Sequence, residues 1–216
     1  MNERKQAMNI DPILDAGPVI PVIVIKHIED ALPLARALVR GGLRVLEVTL
    51  RTPAALDAIR AMRAVEGAIV GAGTVLGQAQ YDAAIEAGAQ FVVSPGLTDA
   101  LVALAAARGE VPLLPGVATA SEVMRAREVG YTRLKFFPAE SSGGVATLEG
   151  FASVFPDVRF CPTGGISSDS ATRYLALANV ACVGGSWPMP AEAMAQRDWG
   201  RIERLASATA ALRRAR

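Results

Sequence analysis

Short runs of β-branched and other apolar residues begin near Val19, Val45, Ile69, Phe91, Val111, Leu134, Val158 and Val180, about 20 to 26 residues apart. A stretch of helical composition follows each: 30–40, 53–65, 78–87, 98–108, 120–129, 147–154, 168–178 and 191–197. Strands that alternate with helices at this spacing call for right-handed crossovers and a parallel sheet. The punctuation agrees, with Thr52 ahead of Pro53 and Ser121 near helix starts, and Gly41, Gly88, Gly109 and Gly130 near helix ends. Eight units in 216 residues, just above the ~200-residue lower limit of the architecture, predict an α/β fold, a compact (β/α)8 TIM barrel. An open doubly wound sheet is the structural alternative.

Glycine and proline are spread through the turns and no low-complexity segment divides the chain, so a single domain over 1–216 is expected. Residues 1–17 form an N-terminal extension in which 10–14 can make a short helix closing the bottom of the barrel. The barrel core spans 18–190, and 191–216 supply C-terminal helices.

Strand side chains alternate between the barrel interior and the helix layer. In the second strand Leu46, Val48 and Leu50 form a wholly apolar class that should meet helices, which turns Glu47 and Thr49 inward. In the sixth, Leu134 and Phe136 form that outer face, and Arg133, Lys135 and Phe137 point inside. Two opposite charges on separate strands are thus sent to one interior, and barrels of this type build their sites at the carboxyl ends of the strands. A buried ion pair with no chemical use is the alternative, although such a pair is often no more stabilising than apolar packing.

Composition narrows the chemistry. With 51% hydrophobic and 20% charged residues there is material for a large core, and a net charge of +1 gives no reason to expect nucleic acid or an anionic membrane as partner. No apolar stretch approaches the ~18 residues of a membrane span, and the polar start 1–6 lacks the apolar centre of a signal peptide, so a cytoplasmic protein is expected. The basic cluster Arg213, Arg214 and Arg216 reads as a solvated helix end. Cys161 and Cys182 each sit in an apolar strand-like run and read as buried thiols rather than a disulfide. His27 is the sole histidine, which argues against a clustered transition-metal site; no metal and no cofactor are expected. His27 itself follows the strand-like run 21–26 and reads as a loop residue.

Lys135 then stands out. It is one of three lysines, with Lys5 and Lys26, against nineteen arginines, and it lies in the apolar run Leu134-Lys135-Phe136-Phe137-Pro138. An ammonium is costly to desolvate, and a lysine that gives up its proton is a nucleophile able to form a Schiff base with a carbonyl substrate. Glu47 is the best acid/base candidate, as the only carboxylate in the middle of a predicted strand. Arg51, four residues on, can hold a carboxylate or phosphate bidentately. Gly71-Ala72-Gly73-Thr74 ends the third strand with small residues and one hydroxyl. Paired glycines end the seventh and eighth strands, in Pro162-Thr163-Gly164-Gly165 and Gly184-Gly185-Ser186, where this barrel commonly binds phosphate on backbone N–H groups. Neither GxxxxGK[ST] nor GxGxxG occurs, so nucleotide binding has no support.

Taken in order, Glu47-Val48-Thr49-Leu50-Arg51-Thr52, Gly71-Ala72-Gly73-Thr74-Val75, Ser94-Pro95-Gly96, Leu114-Pro115-Gly116, Lys135-Phe136-Phe137-Pro138-Ala139, Pro162-Thr163-Gly164-Gly165 and Gly184-Gly185-Ser186 resemble the 2-keto-3-deoxy-6-phosphogluconate (KDPG) aldolase family over about 18–190. The resemblance implies a class I aldolase that cleaves a phosphorylated keto acid to pyruvate and glyceraldehyde 3-phosphate, with Lys135 as Schiff-base residue and Glu47 as acid/base. It implies that Arg51 and Thr74 hold the pyruvate carboxylate, and that Pro95 and Phe137 line the pyruvyl pocket. Thr163 would sense the sugar-acid configuration, and Gly164, Gly165, Gly184, Gly185 and Ser186 would take the phosphate. It further implies a homotrimer. The galactonate epimer, 4-hydroxy-2-oxoglutarate, a metal-free phosphosugar isomerase or epimerase using the same two residues, and a non-catalytic phosphosugar-binding protein stay open at this level.

Overall fold

The computed structural model describes residues 9–109 and 111–212. Strands β1 (Val19–Ile23), β2 (Val45–Thr49), β3 (Ile69–Gly73), β4 (Val92–Val93), β5 (Leu113–Leu114), β6 (Gly116–Val117), β7 (Arg133–Phe136), β8 (Arg159–Pro162) and β9 (Val183–Gly185) alternate with helices. A short helix α1 (Asp11–Leu14) precedes β1. The others are α2 (Ala31–Arg40), α3 (Ala55–Met62), α4 (Gln78–Glu86), α5 (Asp99–Arg108), α6 (Ala120–Glu128), α7 (Gly144–Val154), α8 (Ser168–Leu175), α9 (Ala191–Ala195) and α10 (Trp199–Ala210). Among the described residues no helix is long and apolar enough to cross a membrane.

Every strand pair is parallel, and the sheet curls into a half-barrel. One ladder runs β5-β4-β3-β2-β1-β9 and a second runs β6-β7-β8, where the sequence predicts a single eight-strand ring. Pro115 explains one border. It has no N–H to give a ladder, and its carbonyl accepts from Lys135 N at 2.9 Å while that of Leu114 accepts from Ser94 N at 3.2 Å. The chain therefore hands its pairing from β4 to β7 across the proline. At the other border the segments around β8 and β9 meet through two isolated parallel bridges, Phe160 with Val180 and Thr163 with Gly184.

Strand parity sorts the core into two layers. Leu46, Val48, Leu134 and Phe136 belong to the outer core shared with the helices, where Phe136 meets Phe151 of α7 edge-on with ring centroids 6.2 Å apart. Inside lies a smaller cluster, Ile20, Val45, Phe91, Val93, Leu114, Cys161 and Cys182, closed by Ile10, Ile13 and Leu14 at α1. Both cysteines are buried and no disulfide joins them. Arg133 does turn inward by parity, but it sits at the start of β7, where it meets Asp11 of α1 at 2.5 Å; Arg159 at the start of β8 meets Asp15 at 3.4 Å. These half-exposed pairs are worth ~1 kcal/mol or less each. Their consequence is positional, since α1 covers the amino ends of β7 and β8 and the carboxyl ends are left for chemistry.

Helix α6 starts at Ala120 as expected, capped by Thr119 in a capping box in which a Glu122 carboxylate oxygen accepts from Thr119 N at 2.9 Å. Two other helix starts differ from the sequence reading. Thr52 does not cap α3; its hydroxyl donates to the Ile25 carbonyl at 2.5 Å. Helix α7 begins at Gly144 rather than 147, because Gly143 (φ 94) and Gly144 (φ 60) make the left-handed entry that composition reads as loop. Met1–Gln6, Lys5, Arg213, Arg214 and Arg216 lie outside the described residues.

Gly41 ends α2 for a packing reason. A β-carbon there would overlap the Ala206 methyl on α10 and lie 2.7 Å from the Glu203 carbonyl. Gly41→Ala is expected to destabilise the protein by about 1–3 kcal/mol, read as a lower urea midpoint at unchanged slope; an unchanged midpoint would show that the two helices part without cost.

Candidate active site

The two strands that parity turns inward bring their charges together. Lys135 on β7 and Glu47 on β2 meet at 3.0 Å, Nζ donating to Oε1, with side chains 7% and 4% exposed. The neighbouring strands make room. Gly73 on β3 faces Glu47, and a β-carbon on it would overlap Oε1, so only glycine admits the carboxylate in this position. Gly116 pairs with Lys135 in register, and a β-carbon on it would overlap the Pro95 carbonyl. Phe137, two residues beyond Lys135, lays its ring 5.4 Å from Nζ. An ammonium over a ring face is stabilised by about 0.5–2 kcal/mol, so Phe137 helps set where the Lys135 nitrogen sits.

Just past β2, Arg51 Nε reaches Thr74 Oγ1 at 3.4 Å. Thr74 has φ 61, the left-handed region in which a β-branched residue is strained by roughly 1–3 kcal/mol. Strain of this kind tends to collect at ligand sites, and here it aims the hydroxyl at the guanidinium. Two buried or half-buried hydroxyls anchor the segment that carries Glu47 and Arg51: Thr49 Oγ1 donates to the Ile23 carbonyl at 2.9 Å, beside the Thr52 bond to Ile25. Sequence parity turns Thr49 inward without giving it a task. Ser94, quoted in the Ser94-Pro95-Gly96 segment, has a structural one: its hydroxyl donates to the Gly96 carbonyl at 2.5 Å and fixes the turn around Pro95.

A cavity of about 330 Å³ opens at the carboxyl ends of the strands, walled by Arg51, Phe137, Thr163, Gly164, Gly165, Gly184, Gly185 and Ser186, with Val22, Val24 and Ile166. Phe137 belongs both to this wall and to the Lys135 surroundings, so it joins the ion pair to the glycine-lined end. Gly164 (φ 105) and Gly165 (φ 79) hold backbone that other residues rarely adopt. Gly184 lies against Thr163, whose Oγ1 a β-carbon would overlap, and Gly185 lies against the Trp187 ring. Helix α8 starts just after the first glycine pair, with the reciprocal Ser167–Ser170 capping box at its head. Bare N–H groups beside a helix N-terminus suit an anion.

Pro95 follows β4, with Gly116 of β6 between it and Lys135, and lies outside this wall; Thr74 joins through Arg51. His27 and Lys26 are not brought to the ion pair: both are exposed and line a neighbouring cavity of about 600 Å³ with Asp30, Trp187 and Met189. Among the described residues no group of three or more His, Cys, Asp or Glu side chains could hold a metal ion. What the arrangement can do is supply an amine, a carboxylate in contact with it, a cation and hydroxyl for a small anionic group, and a glycine-lined end for a second anion.

A family model described as KDPG and KHG aldolase matches residues 10–205. The KHG/KDPG aldolase of Escherichia coli (strain K12) is 55% identical over 197 residues, which are 91% of this chain and 92% of that protein. The crystal structure of the 2-keto-3-deoxy-6-phosphogluconate aldolase of Zymomonas mobilis ZM4 with 3-phosphoglycerate superposes with a TM-score of 0.92 at 53% identity, covering 97% of this chain and 98% of that one. The KDPG aldolase of Legionella pneumophila, with pyruvate captured at low pH as a covalent carbinolamine intermediate, superposes with a TM-score of 0.90 at 48% identity, covering 94% and 98%.

Proposed function

The chain belongs to the KDPG and KHG aldolase family, and from that premise we propose that it cleaves 2-keto-3-deoxy-6-phosphogluconate to pyruvate and glyceraldehyde 3-phosphate through a Schiff base on Lys135. The single observation that carries this reading is the buried 3.0 Å contact between the Lys135 amine and the Glu47 carboxylate. Nζ passes its proton to Glu47 and adds to the C2 ketone, forming a carbinolamine. Loss of water, with Glu47 returning a proton, gives the iminium. Glu47 then accepts the C4-hydroxyl proton as the C3–C4 bond breaks, and its electron pair flows into the iminium to form an enamine. Glyceraldehyde 3-phosphate departs, Glu47 returns its proton to C3 of the enamine, and water hydrolyses the resulting iminium to release pyruvate and the Lys135 amine.

Arg51 and Thr74 hold the pyruvate carboxylate, Pro95 and Phe137 line the pyruvyl pocket, and Thr163 reads the configuration of the sugar acid. Gly164, Gly165, Gly184, Gly185 and Ser186 bind the phosphate; the fit of these residues around the 330 Å³ cavity supports the assignment. The chain acts as one domain over 1–216, closed as a (β/α)8 barrel across Pro115 and the bridges Phe160–Val180 and Thr163–Gly184, and works as a cytoplasmic homotrimer. No cofactor or metal enters the scheme, because the iminium is the electron sink. A second substrate, 4-hydroxy-2-oxoglutarate, is favoured by the double name of the Escherichia coli relative; it would use Lys135, Glu47 and Arg51 and forgo the phosphate loops.

Pyruvate release coupled to lactate dehydrogenase tests this directly. The gluconate substrate should exceed its galactonate epimer in kcat/KM by about tenfold or more, the discrimination expected of one buried hydroxyl contact. Equal or reversed preference would reject the substrate, and no pyruvate from either would reject the reaction.

A further inference from the structure

Against the proposed phosphate loop, outside the cavity wall, lies a pair that the aldol chemistry does not use, the buried Tyr174 and the solvent-exposed Glu140. Tyr174 on α8 is fully buried, and its hydroxyl donates to Glu140 Oε1 at 2.9 Å. Glu140 opens the 3-10 turn Glu140–Ser142 after β7, and its backbone is tied to the loop: Ala139 N donates to the Thr163 carbonyl at 2.8 Å and Glu140 N to the Gly164 carbonyl at 3.1 Å. The Glu140 side chain lies directly against Gly165, where a β-carbon would come within 2.8 Å of both Cβ and Cγ. Burial, and then the hydrogen bond to Glu140, push the Tyr174 hydroxyl well above the usual phenol range, so it stays a neutral donor.

A carboxylate beside a loop meant for a phosphate dianion should repel it unless something governs where the charge points. The phenol does so from the helix side. It also supports a stretch of backbone, φ 105 and 79 at Gly164 and Gly165, that lacks side chains of its own to hold it. Resting on the phosphate-loop assignment above, we propose that Tyr174 is a positioning residue for phosphate recognition. By holding the Glu140 carboxylate behind Gly165, it fixes the Gly164–Gly165 backbone and keeps that charge away from the anion. Tyr174 touches no reacting atom, so its effect should appear in binding of the phosphate and nowhere in the covalent step.

The test compares wild type, Tyr174→Phe and Glu140→Gln on 2-keto-3-deoxy-6-phosphogluconate, on the same acid without its phosphate, and on pyruvate trapped with borohydride. Tyr174→Phe keeps the ring that packs the core and should raise KM for the phosphorylated substrate roughly three- to tenfold, as for loss of one charge-accepting hydrogen bond. Its kcat, its KM for the dephosphorylated acid and its pyruvate trapping rate should stay within twofold of wild type. Glu140→Gln keeps an acceptor for the phenol and removes the charge, so its KM for the phosphorylated substrate should equal or fall below that of wild type. The proposal is overturned if Tyr174→Phe leaves that KM unchanged, if it slows trapping to the same degree, or if Glu140→Gln raises the KM as much. If wild type itself shows no preference for the phosphorylated acid, the phosphate-loop assignment fails and the proposal with it.

Discussion

Lys135→Ala is expected to lower kcat/KM for cleavage on the order of 10⁴-fold or more, since it removes the atom that carries the covalent intermediate. The variant also strands the Glu47 carboxylate in the interior, and breaking a buried pair by deleting one partner costs about 3–5 kcal/mol. Activity and stability should therefore fall together in this variant. Lys135→Arg separates them: it keeps a cation for Glu47, while a guanidinium does not add to a ketone at neutral pH. We expect Lys135→Arg to melt closer to wild type than Lys135→Ala and to be as inactive, by the coupled pyruvate assay and calorimetry. Cleavage within tenfold of wild type in either variant would mean that the covalent route is wrong.

Glu47→Gln should cut kcat by about 10²–10⁴, the usual range for loss of a positioned acid/base. The amide oxygen can still accept from Lys135 Nζ at the observed 3.0 Å, so the geometry survives and the loss is one of proton transfer. Because one carboxylate serves both carbinolamine dehydration and C3–C4 cleavage, borohydride trapping of pyruvate should slow as well, though less than turnover. KM should change little, since Glu47 forms no part of the carboxylate or phosphate subsites. An unaltered kcat would move the acid/base role elsewhere.

Much of this was legible in the chain because two periods acted together. The 20–26-residue recurrence gave the βα order, and the two-residue alternation within Val45–Thr49 and Arg133–Phe136 gave the direction of Glu47 and Lys135. Burial enforces that alternation, because a one-residue slip would send Leu46, Val48, Leu134 and Phe136 into the site and the charges into the helix layer. Position along the strand is weaker information. Arg133 shares the parity of Lys135, but it lies at the amino end and is taken up by Asp11.

What stayed hidden depends on contacts between distant segments or on backbone that side-chain patterns do not report. In the 113–117 run Pro115 signals a missing ladder N–H, but not which two neighbours share the pairing on either side of it. Thr74 has an ordinary local sequence and an unusual φ, imposed by its surroundings. The glycine pair at 143–144 reads as loop although a helix begins there. Tyr174 and Glu140 are 34 residues apart on separate elements, and neither carries a local motif.

The most direct test of the account is to incubate the full-length protein with pyruvate, reduce with borohydride, digest, and map the adduct by mass spectrometry. The account predicts one reduced pyruvyl group, on Lys135, and none on Lys135→Arg. No adduct under conditions that label a known class I aldolase, or a stoichiometric adduct on Lys26 or Lys5, would contradict it.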